Sequence, residues 1–127
     1  MSTPTAPPIV TEHVDAAVVV VAQGEHDVST VDALRAEIDA AFELGSGITA
    51  DLSAVTFIDA STLRAVLDAC ARAEATPGTR FAVVAPVESV VSRLFRMTRA
   101  DRMLTVFETC PAAAAWCRAT EIVNPDP

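Results

Sequence analysis

The hydrophobic positions of this chain fall into two alternating periods. "AAVVVVA" (16–22) and "RFAVVA" (80–85) are short, continuous apolar runs rich in Val. Runs of that length that do not alternate predict strands buried on both faces. "IVTEHV" (9–14) predicts a short strand, in a hairpin with the first run or simply beside it; another strand starts near 48–52, and "MLTVF" (103–107) predicts a last short one. Between these runs the period changes to that of a helix. Val31, Leu34, Ile38 and Phe42 recur at i, i+3, i+7 and i+11 with Arg35, Glu37 and Asp39 turned outward, and "GSG" (45–47) ends the pattern. Leu63, Val66, Leu67, Cys70 and Ala71 make a second stripe, starting near Ala60 and stopped by "TPG" (76–78). Val87, Val90, Val91, Leu94 and Phe95 predict the buried face of a third helix opened by Pro86, a position proline tolerates. "CPAAAAWCRA" (110–119) predicts a fourth, with Trp116 as its large apolar anchor.

The resulting order is β β α β α β α β α. Strands alternating with helices place the chain in the α/β class, as one domain with a mixed, mostly parallel sheet flanked by about four helices. The expected domain spans 9–120, between a flexible Pro-rich tail at 1–8 ("STPTAPP") and a C-terminal tail at 121–127 that ends in "NPDP". A length of 127 residues suits a single core. No apolar run approaches the ~20 residues needed to span a bilayer. The N-terminus lacks the basic start and apolar stretch of a secretory signal, so a cytoplasmic location is expected.

Charge narrows the possible partners. The formal net charge is −8, which disfavours nucleic acid and anionic membrane. It is unevenly spread: through Asp59 the only basic residue is Arg35, whereas Arg93, Arg96, Arg99 and Arg102 lie close together. That cluster reads either as a solvated face with a few ion pairs or as a docking surface for an acidic partner. The chain has no lysine, which excludes a Walker A loop and Schiff-base chemistry. It also weighs against a phosphoaspartate receiver. Cys70, Cys110 and Cys117 are odd in number without CxxC spacing, and His13 and His26 lack ligand spacing, so neither a disulfide framework nor a metal site is expected. No serine sits in a G-x-S-x-G elbow, and no nucleophile has a visible base beside it, so an enzyme is the weakest reading.

Two polar clusters end strands and start helices. In "GEHDVST" (24–30) Ser29 is placed to cap the next helix, with Asp32 completing an imperfect capping box. In "DAST" (59–62) Asp59, Ser61 and Thr62 stand at a second helix start. In parallel sheets such positions share the edge at the carboxyl ends of the strands. Spacing alone leaves two readings there. Asp59 is an ordinary N-cap with Ser61 and Thr62 as first-turn residues, or the Ser61 hydroxyl receives a group whose negative charge the helix N-terminus favours and Asp27 and Asp59 oppose.

The two clusters resemble known motifs. "GEHDVST" is similar to the G-E-[LF]-D-x-[ST] segment, and "DLSAVTFIDASTLRAVL" to the D-[LF]-S-x-V-x-F-[IM]-D-S-S-G-L-G-x-L segment, of STAS domains, which in bacteria include the anti-sigma factor antagonists. The resemblance runs from about Ile9 to Thr120. It implies an antagonist that binds an anti-sigma factor of the ATPase-type serine kinase class and frees a sigma factor. It implies Ser61 as the residue that the kinase phosphorylates to end binding, and a serine phosphatase that reverses the step. Asp27 and Asp59 match the aspartates of the two motifs. No cofactor is implied, ATP belonging to the kinase; the chain is expected to be a monomer or weak dimer.

The sequence also departs from the motifs. Ala60 replaces the first serine, Thr62 and Arg64 replace two glycines, and His26 replaces a usual apolar residue. Thr62 is therefore an alternative acceptor, and Asp27, Asp59, Ser61, Thr62 and Arg64 together form the expected switch site. The alternative function is a STAS scaffold that is not phosphorylated, or a domain sensing a small ligand or nucleotide.

Overall fold

The two Val-rich runs lie inside a five-stranded sheet of order β1-β2-β3-β4-β5 in the computed structural model, which describes residues 9–14 and 17–119. β1 (Ile9–Val14) pairs antiparallel with β2 (Ala17–His26); β3 (Gly47–Ile58), β4 (Arg80–Val84) and β5 (Val106–Phe107) then add in parallel. Each parallel step is bridged by a helix: α1 (Val31–Leu44), α2 (Ala60–Glu74) and α3 (Val90–Thr98). Because the strands add one after another in the same direction, crossovers of the usual right hand put all three helices on one face. Their buried residues share one core with Val18, Val20, Ile48, Leu52 and Val83. α4 (Cys110–Arg118) covers the other face, where Ala113, Ala114 and Cys117 pack on Ala17, Ala82 and Val84. The fold class and element order expected from the sequence are those observed. The tails expected at 1–8 and 121–127, and Thr120, lie outside the described residues. Among the described residues no helix is long and apolar enough to cross a membrane.

Several boundaries differ from the hydrophobic pattern, each for a local reason. β2 and β3 run on to His26 and Ile58, well past their apolar stretches. The last pair between β3 and β4 is Asp51 with Val84. Beyond it, Ala54–Ile58 pairs only with Gln23–His26, through two register shifts. In this two-stranded ribbon Gln23, Glu25, Thr56 and Phe57 are exposed while His26, Val55 and Ile58 are buried, so the β2 half, which has no large apolar residue, leaves no hydrophobic signal in sequence. α3 begins at Val90 rather than Pro86. Ser89 caps it by accepting from the Ser92 amide, and Pro86–Ser89 is a turn closed by the Ser89 amide on the Pro86 carbonyl. Val87 and Val90 are consequently exposed, not core. "MLTVF" contributes only Val106–Phe107 to the sheet; Met103 and Leu104 follow a 3-10 turn (Ala100–Arg102). Trp116 is half-buried, tilted at 45° against Phe107 with the Arg80 guanidinium 4.5 Å from its ring centroid.

The phase of α2 matters most for the site. Its buried residues are Thr62, Ala65, Val66, Ala69, Cys70 and Ala73, while Leu63 and Leu67 flank the core and Ala71 is exposed. Small side chains let this helix lie close on the sheet, so the alanines rather than the leucines mark its inner face. A second close approach occurs at Gly47, where a Cβ would stand 2.9 Å from the Cys117 Cβ and 3.0 Å from its carbonyl oxygen. Gly47→Ala is therefore expected to lower unfolding free energy by about 1–3 kcal/mol. A reduced urea midpoint with an unchanged m-value checks it.

Candidate functional site

The parallel pairing of β2 with β3 brings the two polar clusters to one edge. At the end of the ribbon the Asp59 amide donates to the His26 carbonyl at 3.2 Å, so the strands enter their two helices side by side. From His26 the chain turns through Asp27–Thr30. Asp27 Oδ1 accepts from the Ser29 amide at 2.8 Å and from the Ser29 hydroxyl at 2.5 Å. Ser29 therefore folds back on Asp27 and does not cap α1, contrary to the sequence expectation. The N-cap position falls on Thr30, whose side chain also makes no capping bond. Its Oγ1 instead accepts from the Asp27 amide at 3.1 Å and contacts His26 Nδ1 at 3.1 Å.

His26 is 1% exposed, and its other nitrogen, Nε2, lies 3.0 Å from the Gln23 carbonyl oxygen. A carbonyl only accepts, so Nε2 carries a proton; Nδ1 pairs with the Thr30 hydroxyl, whose oxygen also lies 3.2 Å from the Asp27 carbonyl. The imidazole thus ties the ribbon to the start of α1 and satisfies itself while buried. Sequence reasoning had noted His26 only as a replacement of an apolar residue. Thr30 four residues on, with a hydroxyl to reach the ring, was the available signal.

On the β3 side Asp59 caps α2. Its Oδ1 accepts from the Thr62 amide at 3.0 Å and from the Ser61 hydroxyl at 2.7 Å. The Ser61 hydroxyl first and the Thr62 amide second hold the Asp59 carboxyl below its usual range. The Ser29 hydroxyl and amide do the same for Asp27, against the nearby negative charge of Asp59, which pushes it back up. Two carboxylates thus stand close together and both ionised at neutral pH, each held by a serine two residues further on.

Ser61 is half-buried at the surface. Thr62, next to it, is 1% exposed and faces the core. Its Oγ1 finds no hydrogen-bond partner, although it lies near enough to Asp59 to help slightly in keeping that carboxyl acidic. The phase of the helix therefore turns one hydroxyl outward and encloses the other. Arg64 is exposed and joins no ion pair among the described residues. The strand-end loops of the same edge also carry exposed apolar side chains: Val28 (73%), Phe57 (48%), Val87 and Val90. These four were missed as surface residues, two of them because they completed a helical stripe.

This arrangement can offer one hydroxyl, aimed by a carboxylate, to an active site on another molecule. Two measurements test the geometry. Thr62→Val removes an enclosed, unpaired hydroxyl, so stability should rise by about 1 kcal/mol in chemical denaturation. The depressed carboxyls of Asp27 and Asp59 favour the folded state above their ordinary pKa of 3.8, and that contribution fades as pH falls through their lower folded values. The loss of stability on acidification below 3.8 should accordingly be smaller in an Asp27→Asn, Asp59→Asn double variant.

Comparison with known proteins agrees with this architecture. The family model for the STAS domain matches residues 8–113. No curated protein matches the chain in sequence. Among solved structures, an anti-sigma factor antagonist from Mycobacterium paratuberculosis is 27% identical, with a TM-score of 0.75 over 93% of this chain and 99% of that one. The Bacillus cell fate determinant SpoIIAA in its phosphorylated form is 23% identical, with a TM-score of 0.65 over 87% and 99% of the two chains. A sulfate transporter family protein from Wolinella succinogenes is 17% identical, with a TM-score of 0.68 over 88% and 93%. The last two likenesses are likenesses of fold alone. The matched segment holds all five strands, the first three helices and both polar turns, and the chain belongs to the STAS domain family.

Proposed function

We propose that this chain is an anti-sigma factor antagonist. Its Ser61 edge binds an anti-sigma factor of the ATPase-type serine kinase class and so releases a sigma factor. Phosphorylation of Ser61 by that kinase ends the binding, and a serine phosphatase restores it. The observation that carries the reading is the Ser61 hydroxyl itself: half-exposed in the first turn of α2, 2.7 Å from Asp59 and bordered by exposed apolar side chains.

The physical logic is electrostatic. Kinase transfer joins the γ-phosphorus of ATP to Ser61 Oγ, which gives up its proton, and ADP leaves. The new group adds about −1.5 to −2 charges. It removes the hydroxyl proton that Asp59 accepts, and it stands beside a carboxylate that already occupies the Thr62 amide at the helix N-terminus. Asp27, which feels the charge of Asp59, lies on the same edge. Val28, Phe57, Val87 and Val90 suit a dry contact with a partner, and a doubly charged group introduced into a dry contact weakens it sharply. Thr62 is the less suited acceptor because its hydroxyl is enclosed, and for the same reason it does not stand between Ser61 and a partner. The chain is here a kinase substrate and a binding module, not a catalyst.

One observation favours the second reading, a non-phosphorylated scaffold or ligand-sensing domain. Arg64 occupies a motif glycine position and projects from the first turns of α2, where a close-approaching backbone would meet it.

Incubation with ATP and ATPase-type anti-sigma kinases that bind the chain, followed by peptide mapping, should find phosphate on Ser61, and equally so in the Thr62→Val variant. In pull-downs Ser61→Asp should weaken capture of the kinase by about tenfold or more, while Ser61→Ala stays bound in the presence of ATP. An unmodified Ser61 together with undiminished capture of Ser61→Asp would favour the scaffold.

A further inference from the structure

The arginine cluster remains unexplained by the Ser61 edge. Six of the eight arginines after α2's start, all but Arg64 and Arg118, divide into two groups. Arg72 pairs with Asp39 at 2.8 Å and lies over the Phe42 ring, and Arg80 donates to the Trp116 carbonyl and covers its indole. Arg93, Arg96, Arg99 and Arg102 are all exposed, and none joins an ion pair among the described residues; only Arg96 has a fixed partner, the Val87 carbonyl. From Val90 to Met103 these four cations face one acid of the same segment, Asp101, in a protein of net charge −8. Met97 (74% exposed) and Met103 (57%) are interspersed among them.

The basic segment also forms one wall of a groove. Arg102 and Met103 line a cavity of about 280 Å³ whose other wall is Leu67, Cys70, Ala71 and Glu74 of α2. Leu67, Cys70, Ala71 and Met103 make most of its wall and Arg102 is its cation; Arg93, Arg96 and Arg99 precede it in the chain along α3. Exposed methionines adapt to varied apolar partners. Arg99 adds a backbone observation. It closes α3 at φ +65°, in the left-handed region where glycine is the residue of least strain, yet a long cation stands there.

We infer that the α3 face and its groove dock an acidic segment of a partner protein, apolar side chains of the segment entering the groove and its carboxylates meeting the arginines. Charge complementarity selects this occupant. Nucleic acid would bring an extended polyanion onto a protein of net charge −8, past Glu74 and Glu88, and it offers no aliphatic side chains to the groove and methionines. A peptide can set its acids against the arginines alone. The groove lies at the far end of α3 and shares no lining residue with the Ser61 edge, although Arg96 reaches back to the Val87 carbonyl.

The test is fluorescence anisotropy on the full chain, with a labelled synthetic peptide that carries leucines at helical spacing among glutamates. Saturable binding that weakens with added salt is expected. Arg93→Glu combined with Arg99→Gly should weaken it about tenfold, and Met103→Glu should weaken it by a similar factor. Arg99→Gly alone should not lower the melting temperature, since glycine relaxes the backbone there, so lost binding cannot be attributed to unfolding. Arg35→Ser, on α1, should bind as the parent does. Four results overturn the inference: no saturable binding, equal affinity in the arginine variants, heparin or single-stranded DNA bound as tightly as the peptide, or self-association of the chain that the same variants abolish.

Discussion

The parallel pairing of β2 with β3 is the constraint from which the site follows. Both strands are apolar where the sheet is covered on both faces; where the pair projects past β4 as a ribbon, β2 turns polar (Gln23–His26) while β3 still buries Val55 and Ile58. The register His26–Ile58 then sets the exit of β2 beside the exit of β3, and the bond from the Asp59 amide to the His26 carbonyl fixes the two turns against each other. Without that adjacency Asp27 and Asp59 would be unrelated turn residues more than thirty positions apart. With it they form one acidic edge whose two carboxyls each depend on a neighbouring serine. His26 protects the arrangement from within, because its ring spends both nitrogens holding the ribbon to the first turn of α1.

The rotation of α2 about its axis decides which hydroxyl faces the surface. Successive helical residues are set about 100° apart, so a phase that buries Thr62 leaves Ser61 nearer the surface. Ala65, Ala69 and Ala73 are buried along with Val66 and Cys70, and that choice carries Thr62 inward with them. Had Leu63 and Leu67 formed the inner face, Thr62 would have turned toward the surface. A core-packing preference thus selects the surface chemistry one turn away. The enclosed Thr62 hydroxyl, unpaired, is a residual cost of this phase.

What the sequence made legible follows the same division. The continuous Val runs, the helical stripe of α1 and the N-cap at Asp59 are signals generated by burial or by local hydrogen bonding, and they appear in place. The proximity of Asp27 to the Asp59–Ser61 turn was also readable, because alternating strands and helices imply a shared carboxyl edge. The β2 half of the ribbon, Gln23–His26, was not legible, since its one buried residue, His26, is polar, whereas the apolar end of β3 before Asp59 was. Ser29 looked like a cap because spacing cannot reveal that Asp27 competes for its hydroxyl. The α2 phase was misread because leucines outrank alanines in any hydrophobic count, although close packing on a sheet favours the smaller residue. Val87 and Val90 failed for a related reason: an apolar stripe cannot tell a core face from a contact face.

Electrostatic range keeps the two proposed surfaces apart. α3 spans Val90–Thr98, and at ~1.5 Å per residue the ten steps from Ser89 put Arg99 about 15 Å along the helix, whereas Arg93 is four steps away and Arg96 reaches back to the Val87 carbonyl. Exposed charges are largely screened beyond about 8 Å at physiological ionic strength. A phosphate on Ser61 would therefore act mainly through Asp59 and Asp27, the carboxylates of its own edge, and only weakly on Arg99 and Arg102. Net charge says little about such a molecule. A chain at −8 that gathers four arginines on one short segment presents two opposite electrostatic faces, and each face answers to its own neighbours. One small domain can in this way hold a switchable contact at the sheet edge and a constant one along α3.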